Sequence, residues 1–248
     1  MGDAVAGGEA RREELAANLA EVRKRIAAAC AAAGRDPAEV TLVAVTKTFP
    51  ASDVRLLAEL GVTDVAENRD QEARPKAEEC AGLPLRWHFV GQLQTNKARS
   101  VASYADVVQS VDRLRLVRAL SDAAVRAGRT LRCLIQVSLD EPEPGRGPAA
   151  TGARGGADPA DVPALADAID TAGGLELDGV MAVAPLGADP SAAFARLARI
   201  AADLRRERPG AAVISAGMSG DLEQAVACGA THVRVGTALL GGRRAIVR

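Results

Sequence analysis

Leu15, Leu19, Val22, Ile26, Cys30 and Ala33 recur at spacings of three and four with charged residues between them. That is the pattern of a long amphipathic helix, and it ends at Gly34 before Asp36-Pro37. Beyond it, short β-branched runs alternate with helical stretches. Eight runs read as strands: 40–47, 64–68, 86–91, 106–112, 132–139, 177–183, 212–217 and 232–239. Helical patterns separate them, among them one from Ser52 to Gly61, one closing at Gly128, and others over 160–172, 190–208 and 221–228.

Strands that alternate with helices pair in parallel through right-handed crossovers. Eight such units predict a single (β/α)8 TIM barrel, an α/β fold, with the N-terminal helix as an addition. A doubly wound open sheet is the competing architecture, but no GxGxxG follows the first run. Residues 1–8 are expected to form a disordered tail and 9–248 one domain. The Gly-, Pro- and Ala-rich stretch 141–158 reads as a long βα insertion.

With 248 residues, 48% hydrophobic and 25% charged, the chain is able to bury a sizeable core, which excludes disordered and fibrous classes. Thirty-one basic against thirty-two acidic residues give a net charge of −1, and the electrostatic footprint of a general nucleic-acid binder is missing. No apolar run approaches the roughly 20 residues of a membrane span. The first ten residues include Asp3 and Glu9 and no basic n-region. A cytoplasmic protein without membrane or nucleic-acid partners is expected. The four cysteines, Cys30, Cys80, Cys133 and Cys228, form no CxxC and read as small apolar residues of a reduced compartment.

Only Lys24, Lys47, Lys76 and Lys97 among the basic residues are lysine. A chain that uses arginine for surface charge raises the weight of each lysine as an amine, chemistry that an always-protonated guanidinium does not perform. Lys47 closes the first strand run, on the same side as Val43 and Val45, at the end of a barrel strand where functional groups gather. If that side faces the interior, partial desolvation favours the neutral amine and a Schiff-base nucleophile; the plainer alternative is a lysine snorkelling to water.

Asn68 ends the second run, where it is able to bond a ring substituent, and Glu67 beside it is able to pair with a cation; both residue types also serve as helix caps. Ser215-Ala216-Gly217-Met218-Ser219-Gly220-Asp221 follows strand seven, and Gly236-Thr237-Ala238 comes after strand eight. Loops after strands seven and eight are the recurring phosphate site of this barrel, so Ser215, Ser219, Gly236 and Thr237 are phosphate candidates, with an ordinary Ser219 cap as the alternative. Arg234, flanked by Val233 and Val235, needs a carboxylate or a ligand atom as partner. Facing a pyridine nitrogen, it would keep that nitrogen unprotonated and weaken the ring as an electron sink. His88, opposite in direction to Trp87 and Phe89, and His232 read as satisfied buried groups. Asn96-Lys97-Ala98-Arg99 with Arg86 suggests a small basic rim.

Six ordered blocks resemble the YggS/PROSC family of pyridoxal-phosphate homeostasis proteins: Val43 to Pro50, Glu67-Asn68 with Gln71-Glu72, Trp87 to Lys97, Gln136-Val137, Gly217 to Asp221, and Val233 to Thr237. The resemblance runs from Leu15 to Arg243. It implies a barrel like the N-terminal domain of alanine racemase, with pyridoxal 5′-phosphate (PLP) held as an internal aldimine on Lys47. It implies phosphate contacts from Ser215, Ser219, Gly236 and Thr237, Arg234 at the pyridine nitrogen, Asn68 near the ring, and no metal. The role it implies is to hold PLP and release or transfer it, with apo PLP-dependent enzymes as recipients, in a monomer without established turnover. Arg69-Asp70 stand where the family usually has an aromatic-aliphatic pair, and the stretch 139–156 is lengthened and free of lysine.

The alternative is a PLP-dependent amino-acid racemase of fold type III. Two-base racemisation needs an acid on each face of the substrate carbon, and the sole tyrosine, Tyr104, precedes the fourth strand run. A further reading, a barrel for another phosphorylated metabolite with Lys47 as an ion-pair partner, predicts no covalent adduct.

Overall fold

The computed structural model describes residues 2–140, 155–187 and 189–242. Its strands are β1 Thr41–Val45, β2 Asp64–Glu67, β3 Arg86–Phe89, β4 Val107–Val111, β5 Leu131–Gln136, β6 Leu175–Met181, β7 Val213–Ser215 and β8 His232–Val235. All neighbours pair in parallel, and β8 returns to β1 to close the barrel. Each strand overlaps the run predicted for it. The helices are α1 Gly2–Ala32, α2 Ala51–Glu59, α3 Asp70–Glu79, α4 Ala98–Tyr104, α5 Leu114–Ala127, α6 Val162–Asp170, α7 Pro190–Glu207, α8 Leu222–Ala227 and α9 Thr237–Leu240.

Local chemistry sets the boundaries. Asp189 accepts the Ser191 N–H at 2.9 Å and Pro190 follows it, which starts α7; Gly128 ends α5 in the left-handed region at φ 61°. The barrel bends between β5 and β6, where the register shifts at Cys133/Leu134. There Gly179 has φ 148°, and a Cβ on it would stand 2.0 Å from the Val213 carbonyl oxygen.

Three boundaries differ from expectation. The first helix begins at Gly2, inside the segment expected as a tail, although its apolar stripe starts at Leu15. β1 stops at Val45 because the Phe49 N–H turns back to the Thr46 carbonyl at 3.1 Å, so Lys47 sits in a turn and not in the strand. β8 stops at Val235 because the Leu240 N–H bonds the Gly236 carbonyl at 2.8 Å and a short helix begins. Of the insertion read over 141–158, residues 141–154 lie outside the described residues; beyond them Ala157 bridges to Val137.

Two apolar layers hold the helices on the barrel. Ala44, Val65, Trp87, Val233 and Val235 pack with Leu15, Leu19, Val22 and Ile26 of α1 and with Val54 and Leu57 of α2. Val108, Cys133, Ile135 and Val180 pack with α5, α6 and α7 through Leu116, Leu120, Leu165, Phe194 and Leu197. Inside the barrel, Val107, Leu134 and Met181 make a small apolar cluster. Val183 and Val213 pack against it, and His88, Gln109, Ser215 and Arg234 form a buried polar chain beside it. Cys30, Cys80 and Cys133 are buried and Cys228 half-buried, all free thiols. Among the described residues no helix is long and apolar enough to cross a membrane.

Candidate functional site

Lys47 occupies the second position of the turn Thr46-Lys47-Thr48-Phe49 at the C-terminal end of β1. Thr48 has φ 69° and is the only non-glycine residue with positive φ among the described residues. A negative φ at the second turn position followed by a positive one at the third is the pattern of a type II turn, which normally takes glycine there. For a β-branched residue the left-handed region costs about 1–2 kcal/mol. Strain of this kind gathers at functional sites. Lys47 itself is half-buried, and among the described residues its amine has no hydrogen bond or ion pair.

The layer beneath the turn is tied together through Glu67 Oε1, while its Oε2 has no hydrogen-bond partner among the described residues. Thr46 and Glu67 are completely buried; the Thr46 hydroxyl donates to Glu67 Oε1 at 2.6 Å. Lys76 Nζ, on α3, donates to Glu67 Oε1 at 2.5 Å and to the Thr46 carbonyl at 2.9 Å. Burial pushes the Glu67 carboxyl above its ordinary value, against the pull of Lys76. Glu67 thus pairs with a cation as its residue type allows, and the capping alternative fails: Arg69 stands at the N-cap of α3. Asn68 follows β2 half-buried, and its carbonyl lies 2.0 Å from where a Cβ on Gly91 would stand, so the loop after β3 must carry glycine to pass it.

Beside the Lys47 turn, since β8 pairs with β1, the turns after β7 and β8 meet. Ser219 Oγ accepts the Ala238 N–H at 3.3 Å, and a Cβ on Gly236 would stand 3.4 Å from the Val45 carbonyl oxygen, two residues before Lys47. Thr237 is exposed at this mouth. The N-terminal helix braces both turns: Arg25 donates to the Ser219 carbonyl at 3.0 Å, Asn18 to the Leu239 carbonyl at 3.0 Å and Arg11 to the Leu240 carbonyl at 3.0 Å. Asp221 turns back on its own loop and accepts the Met218 N–H at 2.6 Å; Ser219 therefore serves the β8 turn and does not cap α8.

Arg234 is buried in the barrel interior, and no carboxylate pairs with it among the described residues. Its guanidinium donates to Ser215 Oγ at 2.7 Å and to the Ala182 carbonyl at 2.8 Å. Burial pulls it down to about 10, with Asp221 opposing. Ser215 in turn donates to Gln109 Oε1 at 2.7 Å. The Ser215 hydroxyl, expected as a phosphate contact, is fully buried and engaged by Arg234 and Gln109, where it orients the arginine. Gln109 Nε2 lies 2.8 Å from His88 Nδ1, and His88 Nε2 lies 2.8 Å from Asp64 Oδ1. Both ring nitrogens of His88 are thus engaged, as in a satisfied buried histidine.

The basic rim does not form. Arg86 opens β3 at the N-terminal end of the barrel and pairs with Asp64 at 3.2 Å, whereas Lys97 follows β3 and lies 3.9 Å from Asp70. Tyr104, at the end of α4, is largely buried, and desolvation raises its phenol well above the ordinary range. Sequence reasoning gave no role to Lys76, Glu72, Gln109, Asn18 or Arg25. The scarcity of lysine was the one signal that touched Lys76. The contacts of the others depend on the distance between α1, α3 and the strand ends, which spacing along the chain does not encode.

The alanine racemase N-terminal domain family matches residues 12–244. The pyridoxal phosphate homeostasis protein of Mycobacterium tuberculosis is 44% identical over 253 residues, covering 94% of this chain and 95% of its own length. The protein of the same name from Escherichia coli is 35% identical, with 93% and 97% covered. The structure of PipY from Synechococcus elongatus with PLP bound superposes with a TM-score of 0.77 at 36% identity, covering 92% of this chain and all of PipY. The chain belongs to the alanine racemase N-terminal domain family, among its pyridoxal phosphate homeostasis proteins.

Proposed function

We propose that this protein binds PLP at the C-terminal mouth of the barrel, attaches it through Lys47, and holds it for release or transfer to apo PLP-dependent enzymes. The observation that carries the reading is Arg234: a buried cation with no carboxylate partner among the described residues, at the end of the barrel where Lys47 and the two glycine–hydroxyl turns converge. Such a cation fits a ligand that presents a lone pair or negative charge into the barrel. When bound, PLP supplies an aldehyde that condenses with a primary amine and releases water.

Lys47 is the amine, held at the lip of the barrel and without a hydrogen bond or ion pair among the described residues. Ser219, Gly236 and Thr237 offer hydroxyls and backbone N–H groups to the phosphate, without the hydroxyl of Ser215. Asn68 borders the ring. Ser215 and the Ala182 carbonyl hold the Arg234 guanidinium in the interior, where its permanent charge would disfavour a protonated ring nitrogen. That disfavours carbanion chemistry other than a simple racemisation. The position of Tyr104 at the end of α4 weighs against a two-base racemase, since the C-terminal mouth needs the second acid. A monomer is the proposed state, and the free, mostly buried thiols suit the cytoplasm.

The test is the absorption spectrum of the protein mixed with PLP, before and after borohydride, followed by peptide mass mapping. A visible band that converts to a reduced pyridoxyl adduct on Lys47, and is lost in Lys47→Ala, is the expected result. An adduct that persists in Lys47→Ala, or none in the native chain, overturns the assignment. Loss of α-deuterium from amino acids at enzymatic rates would favour the racemase.

A further inference from the structure

The peptide groups on either side of Lys47 are both gripped by α3. Lys76 Nζ donates to the Thr46 carbonyl at 2.9 Å, and Glu72 Oε2 accepts the Thr48 N–H at 3.1 Å. Glu72 and Lys76 are four residues apart, so they project from one face of the helix, one turn above the other. Lys47 lies between the two grips, and Thr48, whose N–H is the second of them, is the one non-glycine residue of the described chain with positive φ. Neither grip touches the Lys47 amine. Lys76 is itself anchored by Glu67, which also takes the Thr46 hydroxyl, and Glu72 Oε1 lies 3.4 Å from Arg69 Nη1.

A turn with positive φ at Thr48 is not the conformation that its sequence favours, because a threonine released from outside contacts relaxes to negative φ. Relaxation would rotate the peptide between Lys47 and Thr48 and swing the Lys47 side chain away from its direction. We propose that Glu72 and Lys76 are positioning residues: they hold the strained turn in register and so fix the line along which the Lys47 amine meets an aldehyde. This rests on Lys47 being the attachment point. The covalent step is unchanged by it: the amine nitrogen forms a C=N bond to the aldehyde carbon, and the carbonyl oxygen leaves as water with both amine protons.

Glu72 is partly exposed, so Glu72→Ala removes one grip without opening the core. Adduct formation with PLP, followed by stopped-flow absorbance, is expected to slow by about tenfold or more, since a displacement of about 1 Å is enough to produce such losses. Inorganic phosphate should compete as well as it does against the native chain. Thr48→Gly makes positive φ free of strain, so Thr48→Gly/Glu72→Ala should return to within about twofold of the native rate. A general loss of structure would show no such rescue. In the apo protein, Glu72→Ala should speed hydrogen exchange at the Thr48 amide. The paired change Lys76→Met/Glu67→Gln, which leaves no buried charge, should slow the adduct without abolishing folding.

Native rates in both Glu72→Ala and Lys76→Met/Glu67→Gln, or failure of Thr48→Gly to rescue, would overturn the positioning role. Absence of any Lys47 adduct in the native chain would instead overturn the proposed function. The Thr48 exchange rate still decides the grip in that case, because unchanged exchange in Glu72→Ala refutes it.

Discussion

Substituting Lys76 by methionine should destabilise the protein by an amount that depends on pH in a defined direction. Lys76 is 7% exposed at its side chain and Glu67 not at all, and Glu67 Oε2 has no other partner. Without the ammonium, Glu67 has two options: remain ionised in the interior, or take a proton. Protonation sets the ceiling on the loss. Against an unfolded carboxyl at 4.5, it costs about 3 kcal/mol at pH 7 and less than about 1 kcal/mol at pH 5. The lost hydrogen bond to the Thr46 carbonyl adds about 1 kcal/mol at any pH. The total is about 4 kcal/mol at pH 7, within the range for a broken buried pair, falling to about 2 kcal/mol at pH 5. The sign follows from linkage: burial already raises the Glu67 carboxyl in the native chain, and losing the Lys76 ammonium raises it further, so the variant's stability relative to the native chain rises as pH falls. Urea denaturation of both proteins at pH 5, 6 and 7 measures it. Adding Glu67→Gln removes the charge and should abolish the pH-dependent part. A deficit that is constant with pH, or a double variant as unstable as the single one, would refute the account.

His232 provides a stability prediction at the opposite barrel mouth. Burial lowers its imidazole from 6.5 to about 4 among His88, Asp64, Arg86 and Arg132. Its contribution to stability should therefore be complete above pH 6.5 and be lost as pH falls toward 4, by about 2–3 kcal/mol once its partial exposure is allowed for. His232→Asn should flatten that slope in thermal denaturation, and parallel curves would refute it. The buried Asp178 carboxyl, raised chiefly by burial, contributes with the opposite sign but is common to both proteins. Arg234→Met should leave the apo protein as stable as the native chain or more so, because it removes a buried cation without a carboxylate partner, while changing the absorption spectrum of the PLP-mixed protein and its pH response. A loss of more than about 2 kcal/mol in urea would show that the arginine is structural.

The barrel was legible because its information is local. Each strand announces itself as a β-branched run and each crossover as a helical period, and the parallel rule then leaves few topologies. The placement of Lys47, Asn68, Ser219, Gly236 and Thr237 at the C-terminal mouth was legible for the same reason, since strand ends of a barrel all face one way. Ser215 shows where that reasoning stops. It lies at a strand end beside a phosphate turn, yet its hydroxyl points into the barrel, because β-strand alternation puts it on the interior side that Arg234 and Gln109 share. The same parity argument that placed Lys47 would have placed Ser215.

Lys76 marks a different limit. Reading it as a rare amine was sound, but its task is set by where α3 docks, and docking depends on apolar contacts distributed over several helices. Sequence proximity therefore identifies groups that could react, whereas the groups that aim them come from elements remote along the chain. Here the reacting amine, at a strained turn, and the grips that hold that turn are separated by about 25 residues and one crossover. Removing a grip should leave the fold largely in place and reduce the rate at which the amine finds its target, which is the separation of stability from aim that Thr48→Gly makes measurable.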